Sequence, residues 1–133
     1  MARVLLIDDD TVLLKLYSTR LTADHHQVAV AANGEEGLRQ VAQFKPDIII
    51  LDLLMPKING FAFLETLKRH TLYSQIKVLV FSSVANQEQI NRLNSLGVKT
   101  FLNKIDTSPT QLVRIIQNEL NLITPANLPQ PPA

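Results

Sequence analysis

The sequence predicts an α/β fold, a doubly wound five-stranded parallel sheet with five helices, on three observations. Five short apolar runs rich in leucine and β-branched residues recur along the chain, and stretches with helical spacing separate them. The longest runs are apolar throughout rather than alternating, as in strands covered on both faces. Three runs stop abruptly at charge: Val4-Leu5-Leu6-Ile7 at Asp8-Asp9-Asp10, Asp47 to Leu51 at Asp52, and Lys99 to Asn103 at Lys104.

Each element can be justified in turn. The first strand is expected over Arg3–Ile7, followed by a helix whose apolar stripe reads Leu13, Leu16, Tyr17 and Leu21. A second strand over Gln27–Ala31 leads to Asn33-Gly34. Glu35 and Glu36 then suit the positive end of a helix carrying Leu38, Val41 and Ala42. The third strand is Asp47–Leu51, and Asn59-Gly60 is a turn signal opening a helix built on Phe63, Leu64 and Leu67. Phe61 and Phe63 are expected to bury against the sheet. The fourth strand is Ile76–Phe81, and its helix, on Ile90, Leu93 and Leu96, ends at Gly97. After a fifth strand at Lys99–Leu102, Ser108-Pro109-Thr110-Gln111 reads as an N-cap, a proline at the first helical position and a glutamine closing a capping box. The last helix carries Leu112, Ile115, Ile116 and Leu120. Right-handed crossovers make such a sheet parallel and cover both its faces.

Residues 1–123 are expected to form one domain. Residues 124–133 hold four of the seven prolines and no charged side chain, so they read as an extended tail or the start of a linker. Hydrophobic content of 46% and charged content of 19% are those of a globular chain. A formal net charge of +1, with no cluster of basic residues, gives no reason to invoke direct nucleic-acid binding or anionic membrane. The absence of cysteine excludes disulfides, thiolate metal sites and cysteine nucleophiles. The N-terminal apolar run is too short for a signal peptide or a span, which leaves a cytoplasmic location as the expectation.

The residues at the strand ends carry the chemistry. In open α/β sheets, ligands bind beyond the carboxyl ends of the strands. Carboxylates at 8, 9 and 52 are what a hard cation such as Mg²⁺ requires, with Mn²⁺ also able to use them. Helix capping competes as an explanation, but it accounts for one aspartate, Asp10, and leaves the others and Asp52 unexplained. Asp52 is the candidate nucleophile for an aspartyl phosphate, a reaction that needs a metal, a nearby cation and little else. Lys104 would supply that cation, although a solvated surface lysine is the alternative. Ser82 offers a hydroxyl at the same sheet edge; a turn serine bonding its own backbone is the rival reading.

These fragments together (VLLIDDD, NGEEGL, PDIIILDLLMPKINGF, VLVFSS and GVKTFLNK) resemble the receiver domain of two-component response regulators, over about residues 2 to 122. The resemblance implies the flavodoxin-like receiver fold with strand order 2-1-3-4-5 and phosphorylation at Asp52. It implies a Mg²⁺ site of Asp8, Asp9, Asp52 and the backbone carbonyl of Leu54, with Asp9 ligating directly and Asp8 through water. Ser82 and Lys104 would contact the phosphoryl group, and Ser82 with Phe101 would form the switch. Met55-Pro56 and Gly60 would shape the loop after the acceptor. The implied partners are a sensor histidine kinase or histidine phosphotransfer protein and an output protein. The implied chemistry is limited to self-phosphorylation and autodephosphorylation.

Several positions depart from the family pattern. Ile105 stands where a cis proline is usual, so a trans bond and a less tightly fixed Lys104 loop are expected. Phe101 lacks a hydroxyl, and Ser82-Ser83 replaces a more usual threonine-alanine pair. Leu54 and Val84, which flank the path of attacking water in the family, are both apolar here, so slow phosphate loss is expected. Arg92, Lys99 and Arg114 suggest a partner surface. His25, His26 and His70 are read as turn and helix-end residues rather than metal ligands.

Two rival readings are a receiver-fold interaction module that acts without phosphate, and an aspartyl-phosphate hydrolase using Asp8 and Asp10. The chain is short for the cap domain that such hydrolases carry. A nucleotide-binding module is disfavoured because no glycine-rich loop follows the first strand.

Overall fold

The structure, a computed structural model, describes residues 2–55, 59–83 and 86–123. The elements run β1 (Arg3–Ile7), α1 (Thr11–Ala23), β2 (Gln27–Ala31), α2 (Gly34–Phe44), β3 (Ile48–Leu51), α3 (Gly60–Arg69), β4 (Lys77–Ser82), α4 (Gln87–Ser95), β5 (Thr100–Asn103) and α5 (Pro109–Ile123). All strand pairings are parallel, and the order is β2-β1-β3-β4-β5, as expected. The last three strands begin one residue later than the sequence reading placed them. Pro56, Val84 and the 124–133 tail lie outside the described residues.

Strand alternation divides the core into two layers. Leu5 and Ile7 of β1, Ile49 and Leu51 of β3, and Val78 and Val80 of β4 pack with Val41, Phe63, Leu64, Leu67 and Leu93 from α2, α3 and α4. Val4 and Leu6, Ile48 and Ile50, Leu79 and Phe81 face the other way, onto Leu14, Tyr17 and Leu21 of α1 and Leu112, Ile116 and Leu120 of α5. Both sets need apolar side chains, which is why β1 and β3 read as unbroken apolar runs. The two edge strands are only partly covered, so full burial on both faces holds for the central three.

The caps hold these elements in place. Asn33 and Asn59 each accept a backbone N–H at 2.9 Å from the residue three places on, opening α2 and α3. Asn86 and Gln89 form a full capping box on α4. Ser108 and Gln111 exchange the expected reciprocal bonds at 3.2 and 2.8 Å. Gly97 closes α4 at a left-handed φ of 84° that a side chain would strain.

Two helical stripes need correction. On α1 the buried residues are Leu14, Tyr17 and Leu21, while Leu16 points outward. On α2 Ala42 is exposed, and Gly37 occupies the inner position against Ile7 and Phe63. Phe61 and Phe63 are buried, as expected.

Candidate functional site

Strand register assembles the site. Pairing Ile7 with Leu51 sets the next residues, Asp8 and Asp52, side by side, and the ladder continues through the Asp52 N–H to the Ile7 carbonyl at 3.0 Å. On the other flank, Ser82 pairs with Asn103, and the Lys104 N–H extends that ladder to the Ser82 carbonyl at 3.0 Å. Three strands and the turn after β5 therefore bring 8, 52, 82 and 104 together. Each lies just beyond, or at, the end of its strand.

The side chains are interlocked. Asp8, Asp52 and Ser82 are buried, with 3%, 5% and 0% of their surface exposed, whereas Asp9 lies open at the mouth. One carboxylate oxygen from each of Asp8, Asp9 and Asp52 falls within 4.8 Å of the others. Lys104 Nζ stands 2.6 Å from Asp8 Oδ2 and 3.4 Å from Asp52 Oδ2. The Ser82 hydroxyl donates to Asp52 Oδ1 at 2.9 Å, and the Leu54 N–H approaches the same oxygen at 3.4 Å. Asp10 turns away and caps α1, its Oδ1 accepting the N–H groups of Val12 and Leu13 at 3.1 Å each. That capping role for Asp10 is the one the sequence suggested.

The electrostatics are unbalanced. Three carboxylates face one ammonium. Burial raises the Asp8 carboxyl above its ordinary value, and Asp52 adds to the rise, against the pull of Lys104 and the Asp10 N–H. Burial also works against the Lys104 charge, but its contacts with Asp8 and the fields of Asp8 and Asp52 outweigh that and hold the ammonium above its usual range. A site in which Asp8 resists ionisation despite its bonded lysine has room for more positive charge.

Oxygen-only donors in this number suit a hard cation. Octahedral Mg²⁺ with ligands at about 2.1 Å places opposite oxygens roughly 4.2 Å apart. Donor oxygens within 4.8 Å of one another need only a small inward shift or a bridging water. The residues fit the ion.

Other site expectations fare variously. Phe101 pairs with Val80 in the sheet, is half-buried, and packs against the core layer under α2, α3 and α4. The Leu54 side chain is 55% exposed beside the acids, in a cleft also lined by Asp9, Asn59 and Gln89. Every described peptide bond is trans, Lys104–Ile105 included. In that loop the Ile105 N–H donates to Asn103 Oδ1 at 2.7 Å. An asparagine two residues before a turn N–H is a recognisable Asx turn, and that signal lay in the sequence.

The three cations suggested as a partner surface have different surroundings. Arg92 pairs with Glu65 and covers the Phe61 ring, Lys99 opens on a cavity near the base of β4, and Arg114 lines a groove between α1 and α5. The histidines play structural parts. His26 is buried, with Ala2 N–H donating to its Nδ1 at 3.3 Å and Gln117 Oε1 3.0 Å from its Nε2. His25 sits in a left-handed turn, and His70 ends α3 stacked on Tyr73.

Two features escaped the sequence reading. Gly60 was read as a turn residue shaping the loop after the acceptor, without its close approach to the site: a Cβ there would lie 2.6 Å from the Asp52 carbonyl oxygen. An apolar rim, Val12 at 77% exposed, Leu16 at 45% and Ile105 at 80%, stands on α1 and the turn after β5. The run Val12-Leu13-Leu14-Lys15-Leu16 signals it, since one helix face cannot bury all four apolar residues.

Comparison with known proteins agrees with this geometry. The family model described as "Response regulator receiver domain" matches residues 4–117. A protein-glutamate methylesterase/protein-glutamine glutaminase of Myxococcus xanthus is 35% identical over 119 residues, covering 88% of this chain and 34% of that protein. The DNA-binding dual master transcriptional regulator RpaA of Synechocystis is 33% identical over 116 residues, covering 86% of this chain and 48% of its own. The chain thus spans from about a third to a half of the length of these relatives. Among solved structures, the chemotaxis protein CheY4 of Vibrio cholerae superposes with a TM-score of 0.81 at 27% identity, covering 89% of this chain and 98% of that one.

Proposed function

Because this chain belongs to the response regulator receiver domain family, we propose that it accepts a phosphoryl group on Asp52 and uses it to alter partner binding. The observation that carries this reading is the convergence of three carboxylates, a hydroxyl and an ammonium at one end of the sheet. Asp8, Asp9, Asp52 and the Leu54 carbonyl would hold Mg²⁺, with Mn²⁺ as a substitute. That ion, when bound, would neutralise charge developing on the transferred phosphoryl oxygens.

The chain's own residues position the reaction. Asp52 is held at both oxygens, by the Ser82 hydroxyl on Oδ1 and Lys104 near Oδ2. In the transfer, a carboxylate oxygen of Asp52 attacks phosphorus, forming an O–P bond as the bond to a phosphohistidine nitrogen of the donor breaks. The bond's electron pair stays on the departing imidazole. Lys104 then faces the phosphoryl oxygens as a point charge, and Ser82 redirects its hydroxyl to them. That redirection, with Phe101 moving inward, is the proposed switch: a two-state equilibrium biased by a new dianionic group.

The phosphodonor would be a sensor histidine kinase or a histidine phosphotransfer protein, and the apolar rim of Val12, Leu16 and Ile105 supports docking at this end. The chain's own catalysis would not extend beyond self-phosphorylation and autodephosphorylation. Among the described residues no helix is long and apolar enough to cross a membrane, which is compatible with a cytoplasmic site of action.

The test is intact mass after incubation with acetyl phosphate and Mg²⁺. One phosphoryl increment is expected in the unaltered chain and none in Asp52→Asn or after chelation. An unmodified chain, or an increment that Asp52→Asn retains, would overturn the proposal.

A further inference from the structure

At the opposite end of β4 lies a second concentration of charge. Five residue steps separate Lys77, which begins β4, from Ser82 at its end, a distance of about 16 Å. Beside Lys77 opens a cavity of about 340 Å³, and every ionisable side chain lining it is a lysine: Lys68 from α3, Lys77, and Lys99 from the turn before β5. Gly97 and Ser74 contribute the remaining wall that matters here.

The three lysines differ in how their charge is met. Lys77 is paired with Glu119 at 2.7 Å. Lys99 is exposed, with no carboxylate within ion-pair distance among the described residues. Lys68 is half-buried and likewise lacks a carboxylate among the described residues; its ammonium donates to the Ser74 carbonyl at 3.1 Å. An ammonium carries three donors and is strongly hydrated, so half-burying one against a single neutral acceptor is costly. Burial accordingly lowers its pKa. Gly97 forms part of the wall next to Lys68: a Cβ there would stand 3.7 Å from Lys68 Nζ, an ordinary contact, and what requires glycine is the φ of 84°.

We propose that this cavity binds a small, multiply charged anion of the phosphate class, held by Lys68 and Lys99 with Lys77 at its edge. Lysine ammoniums from three separate segments suit a compact anion with oxygens on several sides better than a planar carboxylate. Bound there, the anion supplies the counter-charge that Lys68 lacks. This site is independent of the Asp52 chemistry, and neither reading depends on the other.

The experiment is a titration of the full chain with inorganic pyrophosphate, free of divalent metal and at low ionic strength, followed by amide NMR. Saturable shifts at Ser74, Gly97 and Lys99 are expected. Lys68→Gln and Lys99→Gln should each weaken binding at least about tenfold, the low end for one lost charge-assisted contact, while Arg114→Gln on the far face should not. Because Lys99 is exposed, Lys99→Gln keeps the test meaningful even if Lys68→Gln perturbs folding. Non-saturating shifts spread over the surface lysines, or unchanged affinity in both lysine variants, would overturn the proposal.

Discussion

Replacing Lys104 with methionine isolates the counter-charge at the acidic site. The substitution keeps most of the stem's bulk and removes only the ammonium. At an effective dielectric near 20, contacts of 2.6 Å to Asp8 and 3.4 Å to Asp52 correspond to Coulomb attractions of about 6 and about 5 kcal/mol. Much of that is offset, because burying the ammonium itself costs several kcal/mol and a stranded carboxylate can take up a proton. Removing one partner of a buried pair typically costs about 3–5 kcal/mol. Lys104 keeps 17% of its side chain exposed, so a net loss of about 2–4 kcal/mol is expected without metal. Magnesium should supply the missing charge. Urea melts of both proteins, with chelator and with Mg²⁺, read the difference directly. The gap between variant and parent should fall below about 1 kcal/mol once Mg²⁺ is present. An equal loss in both conditions, or no loss in chelator, would refute the reasoning.

Three further outcomes follow from the same geometry. Asp9→Asn should stabilise the chelated protein by about 0.5–1 kcal/mol, since Asp9 is exposed and its repulsion screened, yet weaken Mg²⁺ binding; urea melts and a metal titration measure the two effects. Gly60→Ala should cost about 1–3 kcal/mol in a thermal or urea melt. Its Cβ would meet backbone, the Asp52 carbonyl oxygen at 2.6 Å and Leu53 Cα at 2.7 Å, which cannot rotate away. The phosphoryl group on Asp52 should be long-lived, because the exposed Leu54 side chain offers nothing to orient water; decay as fast as in rapid chemotaxis-type regulators, followed by mass, would contradict this.

Much of this was legible in the sequence for a specific reason. Central strands buried on both faces leave unbroken apolar runs, so their ends, where Asp8, Asp52 and Ser82 stand, are sharply marked. Strand order was not readable from the runs themselves and came from the family resemblance. The helices were harder. On α1 four apolar residues crowd five positions, and only packing against α5 and the sheet decides that Leu14 turns inward while Leu16 stays outside. Gly37 lies beneath Ile7, whose Cδ1 would stand 2.7 Å from an added Cβ and would have to shift, a constraint invisible until two elements meet. The same holds for Lys104, whose closer partner is Asp8 rather than the expected acceptor Asp52. Pairing distances depend on rotamers, which spacing along the chain does not encode.

The most direct measurement of the central claim is an NMR titration with Mg²⁺ followed by beryllofluoride, a phosphoryl mimic. The amides of Asp9, Leu54, Ser82 and Lys104 should respond to the metal and then shift together on adding the mimic, with Phe101 following, and Asp52→Asn should abolish the second step. Beryllofluoride shifts that persist in that variant, or that leave Ser82 and Lys104 unmoved, would contradict a phosphoryl pocket shared by these groups.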